Sequence, residues 1–98
     1  MVVGIGIVTL YIPENFSLKG KRQVVKSIIE KVKNRFNVSI AEVADNDIWQ
    51  TAKIGFSLTG NDHSYINSKI DKILNFISSA GTVEIREQDF EIIHFKEG

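Results

Sequence analysis

The chain has 98 residues, 43% hydrophobic and 24% charged, which suits one small globular domain over residues 1–98 and is too apolar for disorder. Lysine plus arginine number 12 and aspartate plus glutamate number 12, so no overall charge directs the protein to nucleic acid or a membrane. Cysteine is absent, which excludes disulfides, iron–sulfur clusters, cysteine zinc sites and thiol catalysis. The opening Met1-Val2-Val3-Gly4-Ile5-Gly6 lacks the basic segment and cleavage site of a signal peptide, and no apolar run approaches the ~18–20 residues of a membrane span. A soluble cytoplasmic domain is expected.

Val2 to Ile12 is almost wholly apolar and β-branched, the pattern of a strand buried at the centre of a sheet. Ile5, Ile7, Thr9 and Tyr11 share one face, and Gly4, Gly6, Val8 and Leu10 the other. Pro13 ends the strand because it has no N–H for the ladder. Ser17 is suited to cap a helix, although Gly20 stands where a capping box would place glutamate. Leu18, Val25, Ile28, Ile29, Val32 and Phe36 recur at helical spacing, and the helix should end near Arg35, with Asn37 as a tolerant terminus.

Residues 37–44 read as a short strand with Val38 and Ile40 inward. The turn Asp45-Asn46-Asp47 follows. Residues 50–59 alternate, with Ala52, Ile54, Phe56 and Leu58 on one face. After Gly60-Asn61-Asp62, Asp62 can cap a second helix whose apolar face is Ile66, Ile70, Ile73, Leu74 and Ile77. Gly81 suits its end. In the last extended stretch, 82–95, Val83 and Ile85 lie on one phase while Phe90 and Ile92 lie on the other, which calls for a bend or bulge near Glu87–Asp89.

The order β-α-β-β-α-β predicts an α+β, ferredoxin-like sandwich: an antiparallel sheet in the order 4-1-3-2 with two helices on one face. The other sheet face is left open. Either residue set of the first strand would make it apolar for a solvated surface, which points to a homo-oligomer. A central strand flanked by polar neighbours would read similarly.

The zero net charge conceals a segregation. Residues 1–36 carry seven basic and two acidic side chains, and residues 37–98 carry five basic and ten acidic. At ~100° per residue, Lys19, Arg22, Lys26 and Lys33 form one stripe beside the apolar helix face. Lys31 and Arg35 fall on the opposite flank, and Lys21 nearer the apolar side. Such a stripe suits successive phosphates. A solvated amphipathic helix has the same pattern, and so does a surface meeting Glu84, Glu87, Asp89 and Glu91 of another subunit.

Other motifs carry little chemistry. Gly4-Ile5-Gly6 lies inside a strand and lacks a third glycine, so it is not a dinucleotide fingerprint. Lys53-Ile54-Gly55-Phe56 has a faint likeness to the aromatic strand of RNA-recognition motifs, but the stacking pair is missing and no GxxG clamp is present. Asp45 and Asp47 fit turn chemistry better than a cation site. Trp49 is expected to plug a sheet edge. His63 and His94 have no ligand partner nearby in sequence. No catalytic set, metal or cofactor is expected, and so no enzyme.

Ser17-Leu18-Lys19, Lys21-Arg22 and Val24-Val25-Lys26-Ser27 resemble the YlxP-like family of small bacterial proteins. The likeness continues through residues 35–43, Arg35-Phe36-Asn37-Val38-Ser39-Ile40-Ala41-Glu42-Val43, and resumes at Asp47-Ile48-Trp49-Gln50 and Ala52. Gly20 departs from the acidic residue of that pattern. The resemblance implies a ferredoxin-like fold. It also implies a link to RNA or the ribosome, because the family's genes commonly neighbour those for translation initiation and ribosome-binding factor A. It carries over no catalytic residues.

The functional expectation is a non-enzymatic RNA- or ribosome-associated accessory protein. Lys19, Arg22, Lys26 and Lys33 would contact phosphates, with Lys21 and Arg35 in support. The alternative is a homo-oligomeric or small-ligand-sensing module using the open sheet face.

Overall fold

The computed structural model describes residues 1–96. Its elements are β1 (Val2–Tyr11), α1 (Leu18–Arg35), β2 (Ser39–Ala44), β3 (Thr51–Gly60), α2 (His63–Ser78) and β4 (Glu84–His94). The strands form one antiparallel sheet in the order β2-β3-β1-β4, the order the sequence predicts. α1 lies over β2, and α2 over β1, β3 and β4, so β1 sits in the middle of the sheet beneath the helices.

Both helices start where their caps dictate. Ser17 Oγ accepts from Gly20 N at 3.0 Å, and Asp62 Oδ2 accepts from Tyr65 N at 3.0 Å. Each bond satisfies a backbone donor that has no partner within the helix. Asn15 explains the unfinished capping box: its Oδ1 occupies the space a Cβ at position 20 would need. Its Nδ2 donates to Ser17 O at 2.9 Å and Trp49 O at 2.6 Å. α1 ends at Arg35, as expected, but not through Asn37. Asn37 takes no left-handed conformation; the chain turns extended at Phe36, whose ring meets Phe76 of α2 edge-on at 5.7 Å.

The core lies between the helices and one sheet face. Val8, Leu10, Ile54, Ile66, Ile70 and Ile73 are fully enclosed, each burial contributing roughly 1.5–3 kcal/mol before entropy. Gly4 lets α2 approach this closely. A Cβ there would stand 2.7 Å from Ile66 Cγ2 and 3.0 Å from Ile70 Cδ1.

The predicted irregularity in β4 is a bulge at Arg86, just ahead of the expected position. Leu10 pairs with Ile85 and Thr9 with Glu87, leaving Arg86 as the extra residue. One extra residue exchanges the faces of the strand. Ile85 therefore packs on the core side before the bulge, and Ile92, opposite Gly4, after it. Glu87, Asp89, Glu91 and Ile93 pair with Thr9, Ile7, Ile5 and Val3, so they share the open face. The open set on β1 is thus Ile5, Ile7, Thr9 and Tyr11. Among the described residues, no helix is long and apolar enough to cross a membrane.

Gly4→Ala tests the close approach of α2. Overpacking typically costs about 1–3 kcal/mol, so its denaturant midpoint should fall accordingly while the m-value stays unchanged.

Candidate nucleic-acid interface

α1 presents the cations in two environments. Lys19, Arg22, Lys26 and Lys33 are exposed and share the outward sector of the helix. At 1.5 Å per residue the stripe runs about 21 Å. Lys26 stands 4.0 Å from Glu30, a fully hydrated pair of little consequence. Lys19, Arg22 and Lys33 have no ion-pair partner among the described residues.

The first turn of α1 contains no acidic residue and places Lys19 beside the positive end of the helix dipole. Cations there are disfavoured, by about 0.3–1 kcal/mol each. Lys33 and Arg35 in the last turn have the favourable sense. The N-terminal half of the stripe therefore opposes local helix stability while adding to a positive field around unpaired backbone N–H groups.

Lys21 requires a correction to the expected phosphate-contacting set. It is fully buried, because it projects on the same side of α1 as Val25, Ile28 and Val32. Its Nζ lies 3.0 Å from Glu42 Oε2 and donates to the carbonyl of Asp45. Glu42 continues the inward phase of Val38 and Ile40 on β2, opposite Ile54, so a carboxylate faces the core. Glu42 Oε2 is buried and receives no well-aligned hydrogen bond among the described residues; charge attraction holds the contact. Asp45 adopts φ 64°, a left-handed conformation that aspartate tolerates better than most residues. Its carbonyl also accepts from Ile48 N at 3.0 Å. Lys21 thereby fastens α1 to the tip of the β2–β3 hairpin and is unavailable to a ligand.

Arg35 is exposed, but it lies across the helix from the stripe. Its guanidinium carbon sits 5.2 Å from the Phe76 ring centre and 5.9 Å from that of Phe36, a cation–π seat. Trp49, expected as a half-buried edge residue, is 52% exposed, and its carbonyl accepts from Asn15 Nδ2. Phe16 and Ile48, on the neighbouring loops, are exposed as well.

The open sheet face has a different character. Ile5, Ile7, Val43 and Ile93 are all more than a third exposed. Val43 is the extra residue of a bulge in β2, and its side chain lies over Gly55. Ile5, Ile7, Ala41, Val43 and Gly55 line a shallow depression of about 410 Å³, with Asp89 and Glu91 on its β4 side. Tyr11, the aromatic residue of β1 on this face, is covered by Arg86, whose guanidinium carbon stands 4.2 Å from the ring centre. A negative row and a covered ring make this face unlike a base-stacking platform. The open face thus holds an acidic β4 row together with Lys53 and Arg86, whereas the α1 stripe is wholly basic.

The structure also brings together two residues that sequence spacing separates. His63 Nδ1 and His94 Nε2 lie 2.9 Å apart. The signal was in the strand register: Val2 pairs with both Gly60 and His94, and His63 follows Gly60 by one cap.

Lys21→Ala should destabilise the protein by about 3 kcal/mol, since it leaves a buried carboxylate unpaired. The double variant Lys21→Met/Glu42→Gln should recover much of that loss in a denaturant titration, because both charges leave together.

Comparison with known proteins supports the fold and the family. A ferredoxin-like protein from an uncultured marine organism, described as dimeric, superposes with a TM-score of 0.50 at 8% identity, covering 99% of this chain and 100% of that one. The de novo designed protein Foldit4 superposes at 0.56 with 18% identity, covering 98% and 100%. The uncharacterized protein YlxP of Bacillus subtilis (strain 168) is 37% identical over 68 residues, 69% of this chain and 74% of its own length. The family described as protein of unknown function DUF503 matches residues 3–90. By that match, and by its identity to YlxP, the chain belongs to the DUF503 family, of which it is a ferredoxin-like member.

Proposed function

We propose that the protein is a non-enzymatic, RNA- or ribosome-associated accessory protein whose α1 stripe contacts phosphates. The observation that carries this reading is the exposed row Lys19, Arg22, Lys26 and Lys33, largely without counter-ions, starting at the positive pole of its own helix. Lys19 opposes the local dipole, and such a departure from local consistency is expected where function sets the residue. Lys21 contributes by holding α1 at the rotation that turns the stripe outward. Arg35 lies outside the contact set. The opposite charge of the β4 row orients an approaching polyanion toward the helix side.

A second reading concerns assembly. Ile5, Ile7, Val43 and Ile93 give the sheet an apolar centre with acidic residues to one side, the arrangement of an interface core and rim. A face of four strands of 10, 6, 10 and 11 residues offers about 600 Å² per subunit, near the lower limit for a specific dimer. The structurally similar ferredoxin-like protein is described as dimeric, in keeping with the same reading. It is compatible with the first, since the stripe and the face lie on opposite sides.

Binding to ribosomal subunits and total RNA across a salt series tests the first reading. Four phosphate contacts to single strands give a log K against log salt slope of about −3. Lys19→Glu/Arg22→Glu/Lys26→Glu should flatten that slope by about 2, at ~0.7 per lost contact. Unchanged binding by the triple variant overturns the assignment. For assembly, sedimentation should show a dimer that Ile7→Glu converts to monomer; a wild-type monomer at micromolar concentration rejects it.

A further inference from the structure

We propose that His63 and His94 form a bidentate site for a borderline divalent transition-metal ion, of the Zn²⁺ or Cu²⁺ class. The two imidazoles come from different elements, the first turn of α2 and the last residue of β4. Their near-parallel rings are 16° apart in plane, with centres 5.2 Å apart. A hydrogen bond joins His63 Nδ1 and His94 Nε2 at 2.9 Å, so one of the two nitrogens carries a proton that an incoming ion displaces. Neutral imidazole nitrogens are favoured ligands for such ions.

The distance fits the chemistry. With metal–nitrogen bonds of about 2.0–2.1 Å, two ligands at a right angle stand about 3.0 Å apart and at a tetrahedral angle about 3.4 Å. Opening the pair by a few tenths of an ångström and turning the rings toward the ion admits it. Both side chains are exposed, so the adjustment costs one solvent-accessible hydrogen bond and displaces no packed neighbour.

The backbones behind the two rings are already held in place. Asp62 caps α2 through Tyr65 N, which fixes the turn that begins with His63. Phe95 N donates to Met1 O at 2.8 Å, and the Met1 ammonium donates to Phe95 O at 3.2 Å. These bonds clamp the end of β4 to the start of β1, beside His94. Ligands on pinned backbones lose less freedom when an ion binds. Among the described residues, no group of three or more His, Cys, Asp or Glu side chains converges. With two imidazoles as its ligands among the described residues, the ion is exchangeable. A bound ion would tie α2 to the free edge of the sheet. This inference is independent of the phosphate-contact reading, because neither histidine belongs to the α1 stripe.

The test uses untagged full-length protein titrated calorimetrically with ZnCl₂ and CuCl₂, with MgCl₂ as the hard-cation control. We expect saturable binding of one Zn²⁺ or Cu²⁺ per chain, none of Mg²⁺, and a Tm that rises with Zn²⁺ concentration. The Cu²⁺ electron paramagnetic resonance spectrum of the wild type should show two imidazole nitrogens. His63→Ala and His94→Ala should each lose the saturable heat while their metal-free melting curves match the wild type. Absence of saturable Zn²⁺ and Cu²⁺ binding, binding that survives His94→Ala, or one ion per two chains would overturn the proposal.

Discussion

The rotation of α1 about its own axis decides what this protein shows to its surroundings, and the buried row Val25, Ile28 and Val32, with Lys21 among it, sets that rotation. A lysine amid Val25, Ile28 and Val32 cannot stay buried without compensation. Glu42 supplies a charge at 3.0 Å, and the Asp45 carbonyl supplies an acceptor. Removing either charged partner leaves a costly orphan, whereas an apolar pair of similar volume could match their stability. The ion pair ties α1 and the β2–β3 hairpin to each other. With the buried row inward, Lys19, Arg22, Lys26 and Lys33 occupy the outward sector.

The sheet answers to a second constraint. Two crossover helices land on the same side of a four-stranded sheet, so one face is always left over. Gly4 narrows the gap beneath α2, which strengthens the covered side without changing the open one. The open face then takes its composition from β1 and from the phases of its neighbours. The bulge at Arg86 sends Glu87, Asp89 and Glu91 there, and the bulge at Val43 adds an apolar side chain over Gly55. One side becomes basic and helical. The other has an apolar centre with an acidic flank.

Much of this was legible in the residues. Ser17 and Asp62 announced the helix starts, and the alternation in Ala52, Ile54, Phe56 and Leu58 announced β3. The opposed phases of Val83/Ile85 and Phe90/Ile92 required the bulge. Lys21 and Glu42 were legible too, in a weaker sense. Each stands in an apolar phase of its element, and two opposite charges out of place on facing elements tend to meet. Lys21 has the charge of a phosphate ligand but the phase of a core residue, and the phase decides its place. Gly20 was opaque, because the reason for it is the side chain of Asn15, folded back over the helix start.

The sequence by itself determined the element order, the caps, the strand phases and the segregation of charge, because each arises from spacing along one chain. Only the tertiary structure decided which face of β1 is open, where Lys21 goes, that Arg35 sits over Phe76, and that His63 meets His94. Periodicity tells which side chains share a face. It does not tell what lies over that face, which depends on strand register and helix placement between residues far apart in the chain.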